Sequence, residues 1–197
     1  PRAAVAGIAA VRLATASLVV LSGLAGPLAA QRAHHFELGG SVAATRYDHL
    51  MGLPDHVGVL VHVGYFLTPV FALEAAGGFS QPHTAIPFEF TTVSWAGASV
   101  VLNFPLGSRQ LPYLMGGYTR IRYGGDPPYD YGDHAVHGAI GDRVFLFPGA
   151  ALRIEGRAIF APHTDARFDG RWAGHVVGSL GVSLFTGGRR TSQGAGR

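Results

Sequence analysis

In residues 151–160, ALRIEGRAIF, charge and hydrocarbon alternate: Arg153, Glu155 and Arg157 fall on one parity, Leu152, Ile154, Ala158 and Phe160 on the other. A period of two is the period of a β-strand, whose successive side chains point to opposite faces. The same alternation recurs along the chain. Glu37, Ser41 and Thr45 oppose Phe36, Leu38, Val42 and Ala44 in 35–47. Val57, Val59, Val61, Val63 and Tyr65 oppose Gly58, His62 and Gly64 in 57–66. Phe71, Leu73, Ala75 and Phe79 oppose Glu74 and Ser80 in 71–80, and Trp172, Val176, Leu180, Val182 and Leu184 oppose His175, Ser179 and Ser183 in 172–185. Less regular strands are predicted at 89–104, 111–123 and 135–147, which with 150–160 makes eight.

The connections alternate in length. Short links fall at 67–69, 105–110 and 147–149; long ones, rich in Pro, Asp and His, fall at 48–56, 81–88, 124–134 and 161–171. Eight such strands, tightly turned at one end and looped at the other, predict an antiparallel up-and-down β-barrel. An internal echo supports a recurring hairpin. FLTPVFALE (66–74) and FLFPGAALR (145–153) share the pattern F-L-x-P-x-x-A-L-charge, and the last inward position is Glu74 in one copy and Arg153 in the other.

Which face meets water follows from composition and targeting. The chain is 48% hydrophobic and 14% charged, against roughly 25% charged for a soluble domain. Arg2 and Arg12 precede an apolar run, Leu13–Leu24, which Gly26-Pro27 breaks before the small-residue site Leu28-Ala29-Ala30. Residues 1–30 therefore read as a cleavable signal peptide, 31–186 as the barrel and 187–197 as a polar tail. A permanent N-terminal helix is the alternative, but the run is shorter than the ~20 residues a span needs. Export favours an inverted barrel, with grease toward lipid and charge in the lumen, over a soluble lipocalin-like barrel with a solvated charged face. On that reading Glu37, Glu74, Arg120, Arg122, Arg153, Glu155 and Arg157 face inward and pair as a plug, since eight strands enclose just enough room for side chains. Aromatics near strand ends, among them Tyr47, Phe66, Phe71, Phe79, Tyr113, Tyr123, Phe145, Phe160, Trp172 and Phe185, would form interfacial girdles; Trp95, mid-strand, does not fit one.

Other chemistries find little support. All 15 basic residues are Arg, five of them near the termini. The remaining ten face twelve acids between 31 and 188, so no nucleic-acid surface is expected. Cysteine is absent, which excludes disulfides and thiolate metal sites. No metal site or cofactor is expected: His134 and His137 stand at an i, i+3 spacing suited to a helix rather than a strand, and His34-His35, His49, His56, His83 and His163 read as loop or terminal histidines. Nucleophile–base candidates reduce to His163-Thr164-Asp165 and to His175 with Ser179, the latter pair about 13 Å apart along a strand.

The segments FELGG (36–40), GYFLTPVFALE (64–74), LNFPLG (102–107), LPYLMGGYTRIRYGGD (111–126) and ALRIEGR (151–157) resemble the small outer-membrane β-barrel domains grouped with OmpA and OmpX. The resemblance is a pattern of strands and turns covering about 31–186. It implies an eight-stranded transmembrane barrel in a Gram-negative-type outer membrane, with periplasmic termini and four exterior loops. Outer-membrane lipid or lipopolysaccharide and the barrel-assembly machinery are the expected partners, and the barrel is expected to be a monomer. Such barrels usually finish on an aromatic residue, whereas here Leu184-Phe185 is followed by a polar tail. The expected role is structural and non-catalytic, with loops that can bind at the surface. A small porin-like channel and a lipid A-modifying hydrolase on the same barrel are the alternatives.

Overall fold

The computed structural model describes residues 35–83, 91–106, 109–125, 130–162 and 171–186. The expected signal peptide, the polar tail, His34 and the His163-Thr164-Asp165 group lie outside them. Eight strands follow in order: β1 (His35–Arg46), β2 (His56–Phe66), β3 (Phe71–Ser80), β4 (Thr92–Asn103), β5 (Gln110–Gly124), β6 (Tyr131–Phe147), β7 (Ala150–Pro162) and β8 (Trp172–Phe185). Each pairs antiparallel with the next, and β1 pairs with β8, so the sheet closes on itself as an up-and-down barrel. Closure leaves no edge strand with unpaired amides, the condition a sheet must meet to sit in hydrocarbon.

Local chemistry sets the turns. Between β2 and β3, the Thr68 hydroxyl accepts from the N–H groups of Val70 (3.2 Å) and Phe71 (2.9 Å), while the amide of Leu67 donates to Phe71 O at 3.0 Å. Pro148 and Gly149 alone join β6 to β7, with a register shift between Phe145 and Phe147. β6 begins four residues earlier than its alternation predicts. Tyr131 pairs with Tyr123 of β5 and stacks on its ring at 4.7 Å, which extends the ladder past the polar residues 131–134.

The parity places grease outside. Leu38, Val61 and Ile140 are 61%, 62% and 65% exposed. With Val42, Val59, Leu73, Val100, Val136, Val176 and Leu180 they clad the wall in a continuous apolar band. Monomeric soluble proteins rarely leave so large an apolar surface open, and lipid is its natural solvent.

The aromatic girdles differ from expectation. Phe71, Phe79, Phe160 and Trp172 do face outward, but Tyr47, Phe66, Tyr113, Tyr123 and Phe145 are buried inside the barrel, and Phe185 packs against the short-turn core. Trp95, too, turns inward and packs against the loop-end core. The interior needs bulk at its two ends as much as the interface does, and these rings provide it.

At the long-loop end, the Asp48 carboxylate accepts from Leu50 N (3.0 Å) and Gly174 N (2.8 Å), capping a short 3-10 turn at His49–Met51. Gly52, at φ 63°, ends that turn in the left-handed region. The result drops Met51 and Leu53 into the barrel mouth, where both are buried with Tyr47.

Candidate functional site

Six ionised side chains meet inside the barrel. β1 supplies Glu37, β3 Glu74, β6 Arg143, and β7 Arg153, Glu155 and Arg157; none is more than 4% exposed. Three carboxylates face three guanidiniums, so the cluster is formally neutral. Arg153 is its hub. Its Nη1 and Nη2 donate to the two oxygens of Glu74 at 2.7 and 3.0 Å, a bidentate pair, and Nη2 also donates to Glu155 Oε2 at 2.6 Å. The two charges of the internal echo thus bind each other across the lumen. Arg143 donates from Nε to Glu37 Oε1 at 2.9 Å and from Nη1 to Asn103 Oδ1 at 2.9 Å. Arg157 donates from Nε to Glu155 Oε1 at 2.9 Å.

Neutral groups extend the network. The Tyr113 hydroxyl donates to Glu155 Oε2 at 2.7 Å, and its ring lies under the guanidiniums of Arg143 (4.2 Å) and Arg153 (4.9 Å). The Trp95 ring lies 4.9 Å from Arg157, so this mid-strand tryptophan serves the lumen. Ser183 Oγ donates to Glu37 Oε1 at 2.6 Å, and His62 Nε2 lies 3.2 Å from the same oxygen. Buried charges are tolerable only when partnered in this way, because an ion stripped of water and left alone costs several kcal/mol.

Apolar layers bound the network on both sides. Toward the short turns lie Phe66, Val101, Leu111, Met115 and Phe145, with Phe185 packed against them. Toward the long loops lie Tyr47, Met51, Leu53, Val93, Ile121, Tyr123, Ile159 and Val177. A cavity of about 20 Å³ remains among Trp95, Tyr123, His175 and their neighbours, room for about one water.

Of the residues the alternation predicts for this cluster, Glu37, Glu74, Arg153, Glu155 and Arg157 lie in it. Arg120 and Arg122 do not: both are exposed on the outer wall, on the parity opposite to the buried Thr119, Ile121 and Tyr123. Arg143 was missed. It sits beside Asp142 in a stretch where charge does not alternate with grease, and only the pairing of Arg143 with Arg153 across β6–β7 fixes its direction.

The histidines separate by face. His134 points outward and bonds the Tyr118 hydroxyl, whereas His137 points inward between Ser99 Oγ (2.8 Å) and Thr119 Oγ1 (2.6 Å). The H-x-x-H pair therefore cannot share a metal. Glu37, His62 and Glu74 do bring ligand atoms within 4.8 Å of one another, but Arg143 and Arg153 already hold both carboxylates and would repel a cation. His175 does not meet Ser179 as a base; its Nδ1 accepts from Asp48 N at 3.1 Å and its Nε2 lies 3.0 Å from the Tyr123 hydroxyl.

A closed eight-stranded barrel, apolar outside and ion-paired within, is an outer-membrane barrel in class. The sequence matches the outer membrane protein beta-barrel domain over residues 14–170, and the chain belongs to that family. No curated protein matches the sequence. Among solved structures, the fold is similar to Neisserial surface protein A, at 15% identity and a TM-score of 0.60 over 76% of this chain and 95% of that one. It is also similar to the N-terminal β-barrel domain of Pseudomonas aeruginosa OprF, at 16% identity and 0.56 over 79% and 100%. The outer membrane protein OprG of the same organism is 9% identical at 0.55 over 80% and 98%. At these identities the likeness is one of fold.

Proposed function

We propose that this outer-membrane barrel is a structural, non-catalytic and non-conducting monomer whose lumen is plugged by its own ion pairs and whose long loops present a binding surface to the exterior. The observation that carries the reading is the neutral six-charge network held between two apolar layers. Water and ions would have to cross both layers and break charge-assisted bonds to pass, and a substrate would have no path to the buried Ser99–His137 or His62–Ser183 contacts. The lipids of the outer membrane and the machinery that assembles barrels are the partners this role requires.

The test is electrical. Purified barrel, verified by compact migration on unboiled gels, is inserted into planar bilayers. No steady conductance is expected from the wild type. Stable unitary steps would overturn the plugged reading in favour of a small channel. Deacylation of lipid A by the same preparation would overturn the non-catalytic one.

A further inference from the structure

Arg120 and Arg122 sit where the outer wall changes character. On β5 the outward side chains run Pro112, Leu114, Gly116, Tyr118 and then the two arginines. Across the ladder, Arg120 pairs with Ala96 of β4 and His134 of β6, and Arg122 with Ser94 and Gly132. Toward the short turns the same three strands expose Val100, Leu114, Val136 and Ile140. Beyond Tyr118 the outward face turns polar. The arginines begin two residues past that boundary, about 7 Å along the strand, at the edge of the apolar band.

Neither guanidinium has an ion pair or hydrogen bond among the described residues. Asp130, exposed at the start of β6, pairs with neither. The strand cannot turn to bury them, because Thr119, Ile121 and Tyr123 fill the opposite parity of the interior. The hydrogen bond between the Tyr118 hydroxyl and His134 Nδ1 fixes the aromatic floor beside them. Two planar guanidiniums on one face, standing over an apolar wall and paired with no anion among the described residues, match a phosphate that is itself attached to hydrocarbon.

We propose that Arg120 and Arg122, flanked by His134 and Tyr118, bind the phosphorylated headgroup of an outer-leaflet lipid whose acyl chains lie on the apolar wall below. The inference rests on the barrel's standing in a membrane and is independent of whether its lumen conducts.

The test uses the folded barrel in zwitterionic detergent and native mass spectrometry with three probes: phosphorylated lipid A, the same lipid dephosphorylated, and phosphatidylcholine. Wild type is expected to retain phosphorylated lipid A selectively. R120Q/R122Q is expected to lose that retention by roughly tenfold to thirtyfold, from the usual worth of a basic side chain at an anionic lipid surface. R46Q, which removes an exposed rim arginine on β1, is expected to match wild type, and excess inorganic phosphate is expected not to displace the lipid. Equal retention by wild type and the double variant would overturn the proposal. So would equal loss in R46Q, which would indicate diffuse charge, or displacement by inorganic phosphate, which would indicate a site for the free anion. If the double variant does not migrate as a compact barrel, R120Q and R122Q are read singly, each expected to lose severalfold and each overturning the proposal if it loses nothing. A wild type that itself fails to compact would refute the membrane-barrel reading rather than this site.

Discussion

At the scale of single residues, the network behaves as a set of mutual obligations. Arg153 serves Glu37, Glu74 and Glu155 at once, so Arg153→Ala leaves buried carboxylates without their cation. Removing one partner of such a group costs about 3–5 kcal/mol, whereas replacing both charges with well-packed neutral groups costs much less. R153A is expected to lower the urea midpoint of the barrel in lipid vesicles sharply, and R153M/E74Q to restore a substantial part of it. A double variant no more stable than R153A alone would mean that the Arg153–Glu74 pair is not the hub. Five of the residues in this cluster could be read from alternation, because within the membrane-facing stretch charge goes inward and grease outward. The rule fails for Arg120 and Arg122 because β5 continues beyond the apolar band, where outward no longer means hydrocarbon. It fails for Arg143 because Asp142 and Arg143 occupy opposite faces and erase the alternation on which the rule depends.

At the scale of elements, strands were legible and the furnishing of the loops was not. Hydrophobic parity over ten residues is a strong signal, but the fold of 47–55 depends on one carboxylate finding amides both nearby and on β8. Burial works against the charge on Asp48, yet the Gly174 and Leu50 amides outweigh it and hold its pKa below the ordinary carboxylate value. The sign follows: a carboxylate depressed in the folded state contributes stability that is present above its unfolded pKa of about 3.9 and lost as pH falls through the lower folded value. The difference in hydrogen exchange of the 47–55 amides between wild type and Asp48→Ala, which isolates the carboxylate from the nearby His49 and His175, is therefore expected to hold steady from neutral pH down to about 4 once intrinsic rates are removed, and to shrink only below that. Asp48→Ala should release the segment at all pH values, at about 1 kcal/mol for the lost cap. Unchanged protection in D48A would show that Met51 and Leu53 alone hold the loop in the mouth.

For the whole molecule, what matters is that the sheet closes. The β1–β8 seam is built on close approach: a Cβ on Gly181 would collide with the carbonyl of Gly40 and the hydroxyl of Ser41 on β1. Gly181→Leu is expected to block closure, read as loss of the fast-migrating species on unboiled gels, while Gly156→Ala, with open space around it, should fold normally. Closure itself was predictable from the even strand count and the alternating link lengths. The seam's tolerances were not, since they depend on which residues meet when the first strand meets the last. Glu37 stands on that seam, bonded to Ser183 of β8 and to arginines of β6 and β7. Although Glu155 meets Arg153 and Arg157 within β7 itself, Arg143 and Glu37 come together only when the circle is complete. An unfinished barrel must keep them hydrated, and the last pairing step drives that water out. Assembly is thus self-verifying: a chain that joins its ends out of register strands ions in a greasy interior and comes apart again.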